Sequence, residues 1–209
     1  AHMLPYVSLV DDRTVRTRVN ELFQCIRLDG VNSYTTDDAY LDKVTALFAR
    51  IIAQLGPEFS YYVHKVSKAI TPELAPVRED SFAGEVDRLW RAKLETSGLR
   101  DKTLTLTVIH RPPPKSVLPF LNRSAPDRLK EATQKRLRRL GEAVSVFVSG
   151  LTELNPRVLT SESGELIGFL GALNTGQELP LYPANTYGFL SFNVANTRVT
   201  FQGDHFELS

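Results

Sequence analysis

The chain has 209 residues, of which 42% are hydrophobic and 23% are charged, so it is long enough to bury one core without disulfides. A formal net charge of +1 excludes a strong general attraction to nucleic acid, and the single cysteine, Cys25, excludes an internal disulfide framework and a cysteine-based zinc cluster. The longest apolar runs, such as residues 143–148, are too short to span a bilayer.

Near the amino terminus the pattern predicts two strands, at residues 14–19 and 22–28, joined around Asn20-Glu21. A helix is predicted next, because 35–38 (TTDD) offers a capping side chain and an acidic first turn. Gly56-Pro57 ends this helix. Its apolar residues recur at helical spacing: Leu41, Val44, Phe48, Ile51, Ile52 and Leu55.

The middle of the chain is predicted to form a strand, a loop, a helix and a second strand. Residues 59–66 mix aromatic and β-branched types and predict a strand, whereas 69–78 contain two prolines and predict a loop. The second helix begins after Asp80 and ends at Gly98, and 103–109 alternate Thr with Leu or Val, which indicates a half-buried strand. The apolar positions of the second helix are Phe82, Val86, Leu89, Trp90 and Leu94.

In the last third, the longest helix is predicted from Ser124 to about Asn155. Next come a short strand at 158–160 and a helix that Ser161 caps and that 174–176 (NTG) end. A loop follows at 177–185. The chain then forms a hairpin, in which a turn at 203–204 pairs 199–202 with 205–208. The predicted buried stripe of the long helix is Leu129, Leu137, Leu140, Val144, Phe147, Val148, Leu151 and Leu154.

These elements predict an α+β fold, with an antiparallel or mixed sheet and about four to five helices packed on it. The predicted core brings Leu104, Leu106 and Val108 of the alternating strand against the first helix, at Leu41, Phe48 and Ile52. Residues 1–3 (AHM) resemble a cloning remnant, and 4–209 are expected to form one domain with a possible sublobe boundary near 112–123.

No catalytic motif is found in the sequence. A Walker A loop is absent because no glycine is followed by lysine, and neither HExxH nor GxSxG occurs. His64 is interpreted as a satisfied, half-buried strand residue, and a catalytic role for His110 is disfavoured. The glycines between 164 and 171 indicate helix packing, and Cys25 is interpreted as a buried, inert thiol. Asp11-Asp12 is interpreted as a solvated turn before a strand, and a cation site is the alternative.

The most marked charge feature is a basic cluster on the long helix: Lys130, Lys135, Arg136, Arg138 and Arg139. Leu137 and Leu140 mark the buried stripe here, so the cations are expected to face solvent. A solvated helix face is the simplest interpretation, and a partner patch or a contact with anionic lipid headgroups are the alternatives. Nucleic acid is disfavoured, because no aromatic residues alternate with these charges.

Four segments form a pattern along the chain: LPY at residues 4–6, VDDRTV at 10–15, LFQCIRLDG at 22–30 before a capped helix, and TLTLTVIHRP at 103–112, a strand that closes on an Arg-Pro step. Together these segments resemble the CagE/TrbE/VirB ATPase family. The likeness covers most of the chain loosely. In that family the nucleotide-binding motor lies downstream of this region, so no catalytic residue is carried over to any position here.

The resemblance implies a non-catalytic docking or assembly domain of a bacterial type IV secretion ATPase, which energises channel and pilus assembly or substrate transfer, as in conjugation. It implies ATP and Mg²⁺ for the full-length protein only, and no cofactor or metal for this part. Partners would be inner-membrane secretion components and further copies in a hexamer, at the cytoplasmic face of the inner membrane. A free-standing interaction module, or an enzyme whose active site follows no known motif, are the alternatives.

Overall fold

A computed structural model of the protein describes residues 4–30, 36–69, 82–96, 100–113, 126–176, 183–184, 188–194, 199–202 and 205–208. Its main sheet has six strands: β1 (Tyr6–Leu9), β2 (Val15–Thr17), β3 (Leu22–Leu28), β4 (Phe59–Ala69), β5 (Arg100–His110) and β6 (Arg157–Val158). They run in the order β1-β2-β3-β5-β4, with β6 also paired to β3. All of these pairs are antiparallel.

Four helices of 11 residues or more and one short helix accompany the sheet: α1 (Asp38–Gln54), α2 (Phe82–Thr96), α3 (Pro126–Gly150), α4 (Glu165–Thr175) and α5 (Ser191–Val194). The predicted α+β class is therefore confirmed, and its sheet is antiparallel. The start of α1 is also where the sequence placed it, because the Asp37 carboxylate accepts a hydrogen bond from the backbone N–H of Ala39.

Side chains of the sheet alternate between its two faces, and each face has its own core. On one face, Leu22, Ile26, Leu106 and Val108 pack with the buried residues of α1 and α3. On the other face lies a second cluster beneath α4 and α5: Phe23, Cys25, Ile109, Leu166, Ile167, Leu170 and Val194. The central strands β3 and β5 are consequently enclosed by helices on both sides.

The predicted contact of β5 with the first helix is confirmed for most of its residues. Leu106 and Val108 belong to the first cluster, with Phe48 and Ile52 packed against it, whereas Leu41 is only half-buried at the start of α1. The prediction that β5 is half-buried is wrong, since Thr105 and Thr107 on the other face are also buried. Helix α4 covers that face, which the Thr-Leu alternation alone did not indicate.

Two boundaries in the second half of the chain differ from the sequence interpretation. Helix α3 ends at Gly150, and the buried Leu154 belongs to a 3₁₀ turn, Thr152–Leu154. Leu129, predicted to be buried, is 62% exposed. Helix α4 begins after Gly164, three residues later than predicted. Ser161 does not cap the helix, because its hydroxyl donates a hydrogen bond to the carbonyl of Ala184.

The carboxy-terminal hairpin is confirmed as β7 (Val199–Gln202) paired with β8 (His205–Leu208). Phe201 lies opposite Phe206, and Val199 lies opposite Leu208, which is the predicted register. The turn at 203–204 lies outside the described residues, as do nearly all of the predicted loops at 69–78 and 177–185 and most of the boundary region at 112–123. None of the helices in the described ranges is long and apolar enough to cross a membrane.

Candidate functional site

A cleft of about 650 Å³ lies where α3 passes the end of β5 and the start of β4. Four of the five cations in the predicted basic cluster line this cleft, and Lys130 does not. The lining residues are Glu58, His110, Pro113, Ala132, Lys135, Arg136, Arg138, Arg139 and Glu142. The tertiary structure therefore brings most of the cluster together with residues from two strands that are distant in sequence.

Arg136 is the structural member of this group. Its guanidinium donates from Nη2 to the carbonyl oxygen of Asn20 at 2.7 Å and to that of His110 at 3.3 Å, and from Nε to His110 Nδ1 at 3.4 Å. Burial lowers its pKa below the usual value. The prediction that all five cations face solvent is wrong for Arg136, which ties the β2–β3 turn to the end of β5.

Arg139 is exposed, yet it also has protein partners. Its Nε lies 3.4 Å from Glu58 Oε1, its Nη1 lies 3.5 Å from Glu142 Oε2, and its guanidinium stands 5.9 Å from the centre of the Phe59 ring. A backbone hydrogen bond, and after it Arg139, lower the pKa of Glu58. Exposed ion pairs of this kind stabilise a fold by at most about 1 kcal/mol. Much of the Arg139 charge is therefore balanced locally.

Lys135 and Arg138 are the remaining cations of the cleft, and both side chains are exposed. Lys130 is five residues before Lys135, which at 3.6 residues per turn places it roughly 140° away around the helix. Lys135 and Arg138 are therefore the two predicted site residues that line the cleft with exposed side chains and no protein partner described above.

We expect replacement by glutamine to have different effects on stability at Arg136 and at Arg138. Arg136→Gln should lower the free energy of unfolding by about 1.5–3 kcal/mol, because hydrogen bonds from a charged donor to two backbone carbonyls are lost. Arg138→Gln, on the same helix, should change it by less than about 0.5 kcal/mol. Urea unfolding measures both, and an equal loss for the two variants would contradict the structural role of Arg136.

The two histidines of the sheet have environments that favour the neutral form. His110 meets the edge of the Phe59 ring at 5.2 Å, and burial together with Arg136 lowers its pKa. His64 packs edge-on against Phe169 at 5.3 Å, beside a pocket of about 310 Å³ between α4 and the sheet, and burial lowers its pKa. His64 is half-buried, as predicted.

The other residues singled out in the sequence have structural roles. Cys25 is fully buried, and burial raises the pKa of its thiol to about 12, so it is inert as predicted. Asp11 accepts hydrogen bonds from Arg13 and Thr14, while Asp12 Oδ1 accepts from the backbone N–H of Glu162, which fixes the loop before α4. Within the described ranges, no group of three His, Cys, Asp or Glu side chains is placed to hold a metal ion.

The sequence pattern indicates neither Glu58 nor Asn20, and it does not place His110 beside α3. Arg136 reaches His110 across 26 residues of chain and Asn20 across 116, so no local pattern connects them. The acidic Glu58, directly after the Gly56-Pro57 helix stop, carries no signal of its own in the sequence.

Comparison with known proteins identifies the family. No curated protein matches the chain. A sequence model described as "Type IV secretion system ATPase VirB4/TrbE, N-terminal domain" matches residues 13–117, which span β2 to the end of β5 and half of the chain. The matched region includes Glu58 and His110, which line the cleft, and Asn20, whose carbonyl oxygen accepts a hydrogen bond from Arg136. The chain therefore belongs to the VirB4/TrbE family of type IV secretion ATPases and carries the N-terminal domain of that family.

Proposed function

We propose that this domain docks a type IV secretion ATPase onto an inner-membrane component of the secretion machinery, and that the α3 cleft receives an acidic segment of that component. The observation that carries this proposal is the exposed pair Lys135 and Arg138 at the rim of a cleft whose base is the fixed Arg136. The chain itself carries no Walker A sequence, so a binding role fits it better than a catalytic one.

A protein segment suits this cleft better than a lipid surface does. Its lining holds four cations and two carboxylates, Glu58 and Glu142, so the cationic excess is small. Recognition of anionic lipid headgroups typically takes clusters of 4–8 basic residues on an accessible surface. A concave cleft with one rigid and two exposed cations instead favours individual carboxylates, which guanidinium groups bind with defined geometry.

We expect Arg136 to hold a bound carboxylate in a fixed position as well as to attract it by charge. Because three acceptor atoms already hold its guanidinium, binding a carboxylate beside it requires little ordering of that side chain. Lys135 and Arg138 would lose more rotamer freedom, and their main contribution would be to attract and orient the acidic segment.

In the whole ATPase this docking would hold the motor at the cytoplasmic face of the inner membrane as a peripheral component. ATP and Mg²⁺ would be bound by the motor domain, and the hexamer expected for the family would place several docking clefts around one channel. The assembled system would serve conjugation or the delivery of virulence proteins.

Charge reversal tests the cleft. Arg138→Glu should weaken binding to the inner-membrane components of the same secretion system roughly fivefold to tenfold, because an attractive contact becomes repulsive. Lys130→Glu is the matched control, since it makes the same charge change two turns away on α3, outside the cleft lining, and should leave binding within about twofold. Co-purification of the whole ATPase with those components, at low and high salt, measures the difference.

Two outcomes would contradict the docking cleft. Equal weakening by Arg138→Glu and Lys130→Glu would indicate a diffuse charge effect in place of a cleft. Binding of the wild-type domain to anionic vesicles, lost in Arg138→Glu while the protein components remain bound, would assign the surface to lipid instead.

A further inference from the structure

The pocket of about 310 Å³ between α4 and the sheet, which we call the α4 pocket, is lined by several rings. Its volume is near the lower end of the roughly 300–1,000 Å³ that ligand sites occupy, so it suits one side chain or a small molecule. The rings come from β1, β3, β4 and α4, and they are Tyr6, Phe23, Tyr62, His64 and Phe169.

Packing holds these rings in two groups. The ring centres of Tyr6 and Phe23 are 5.9 Å apart, while that of His64 lies 5.3 Å from Phe169 and 6.3 Å from Tyr62. Phe23 and Phe169 are buried in the core beneath α4, where close packing restricts their movement. The α4 pocket is therefore preformed, and a ligand can bind without first ordering these rings.

Glu21 supplies the one formal charge among the described residues that line the α4 pocket. It precedes Phe23 by two residues, so its side chain lies on the α4 face of the sheet. Its backbone N–H donates to Thr17 Oγ1 at 3.1 Å, and its carbonyl oxygen accepts from the backbone N–H of Thr17 at 2.9 Å, which fixes its position. Within the described part of the chain, no side chain forms a hydrogen bond or an ion pair with the Glu21 carboxylate. Arg136 is close enough for this charge to oppose the effect of burial on its pKa, but its guanidinium donates to other atoms.

His64 does not offset the charge of Glu21. Burial lowers the pKa of His64 below the usual value, so its imidazole is neutral at pH 7. The described lining of the α4 pocket thus combines aromatic rings with one carboxylate and contains no cation. Because the faces of aromatic rings carry negative charge, this composition is that of a site for an organic cation.

We propose that the α4 pocket binds the guanidinium group of an arginine side chain presented by a partner protein. A guanidinium is planar and weakly hydrated, so it stacks on rings and leaves water more readily than the ammonium group of lysine. Its N–H groups can also donate to the Glu21 carboxylate, which a quaternary ammonium ion would leave without a partner.

The rest of the lining favours a side chain over a free amino acid. Pro5, Ile109, Leu170 and Leu173 are apolar, which suits the methylene stem of arginine but not the charged α-amino and α-carboxylate groups of the free molecule. The α4 pocket and the α3 cleft share no lining residue, so this inference does not depend on the proposed docking in that cleft.

A blocked amino acid isolates the interaction, because N-acetyl-L-arginine amide presents the side chain without terminal charges. Titration followed by NMR should give a dissociation constant on the order of 1 mM, as a single side chain provides. N-acetyl-L-citrulline amide has nearly the same shape without the charge, and it should bind at least about tenfold more weakly. Equal binding of the two probes would show that the pocket does not select a cation, and would overturn the proposal.

Variants with matched controls locate the binding. Glu21→Gln should weaken binding of the arginine probe roughly tenfold, whereas Glu131→Gln, at an exposed position of α3 outside the pocket, should leave it within about twofold. Tyr62→Leu should weaken it about threefold and Tyr62→Phe should not, because the ring rather than the hydroxyl contacts the cation. Tyr62 is 60% exposed, so both of its variants should fold normally. Equal effects of Glu21→Gln and Glu131→Gln would contradict the assignment of the cation to this pocket.

Two further probes distinguish other occupants. Free L-arginine and tetramethylammonium should each bind more weakly than N-acetyl-L-arginine amide. Tighter binding of free L-arginine would assign the α4 pocket to the amino acid itself, and tighter binding of tetramethylammonium would assign it to a quaternary ammonium ligand. Either result would overturn the proposed arginine of a partner protein.

Discussion

Replacing Leu106 by aspartate is expected to abolish cooperative folding of the domain. Leu106 is completely buried at the centre of β5, next to Ile26 of β3 in the sheet, and belongs to the core under α1 and α3. Removing the leucine side chain alone costs about 2–5 kcal/mol, and an unpaired carboxylate in its place costs several more. Domains of this size are stable by only about 5–15 kcal/mol in total.

Val63 is the matched control for this substitution. It is the direct neighbour of Leu106 on β4 and lies on the same face of the sheet, but it is 56% exposed. Val63→Asp should therefore keep a cooperative transition and lose about 1 kcal/mol or less. Circular dichroism during thermal unfolding compares the two variants. A Leu106→Asp chain that melts at the wild-type temperature would contradict the position of Leu106 in the core.

Phe147→Ala is expected to have the second largest effect, a loss of about 3–5 kcal/mol in the free energy of unfolding. Phe147 of α3 is fully buried, and its ring centre lies 5.7 Å from that of Phe48 on α1 and 5.5 Å from that of Tyr61 on β4. Alanine would leave a cavity between two helices and the sheet, because three separate elements cannot all collapse into the space. The melting temperature should fall by about 10 °C or more.

Phe82→Ala is the matched control for Phe147→Ala, because Phe82 is exposed. Phe82→Ala removes the same atoms from an exposed position on α2, so it should change the free energy of unfolding by less than about 0.5 kcal/mol. Calorimetry gives both values. Similar losses for the two variants would mean that Phe147 does not connect α1, α3 and β4.

Much of the local structure could be predicted from the sequence, because its causes are local. Asp37 caps α1 by bonding a backbone N–H two residues on, and Gly176 ends α4 in the left-handed conformation that glycine adopts without strain. The register of the β7–β8 hairpin also follows from a two-residue turn. Each of these features depends on residues within one or two turns of chain, so the sequence was sufficient for them.

The basic cluster on α3 was visible in the sequence, but its division into structural and exposed cations was not. Arg136 differs from Arg138 because the carbonyl groups of Asn20 and His110 lie beside one and not the other. Asn20 lies in the β2–β3 turn and His110 at the end of β5, and only the packing of α3 across the sheet end brings both beside Arg136. Lys130 lies outside the cleft, because the orientation of α3 determines which of its side chains meet the end of the sheet.

The sequence by itself determined the types of most elements, the α+β class and the family. Only the tertiary structure decided what covers each apolar face, because burial depends on neighbours that local periodicity does not encode. Thr105 and Thr107, polar by pattern, are buried on the face of the sheet that packs against α4, whereas Phe82 and Leu89, apolar by pattern, are exposed on α2. An amphipathic pattern specifies that a face must be covered, and the fold specifies whether this chain or another molecule covers it.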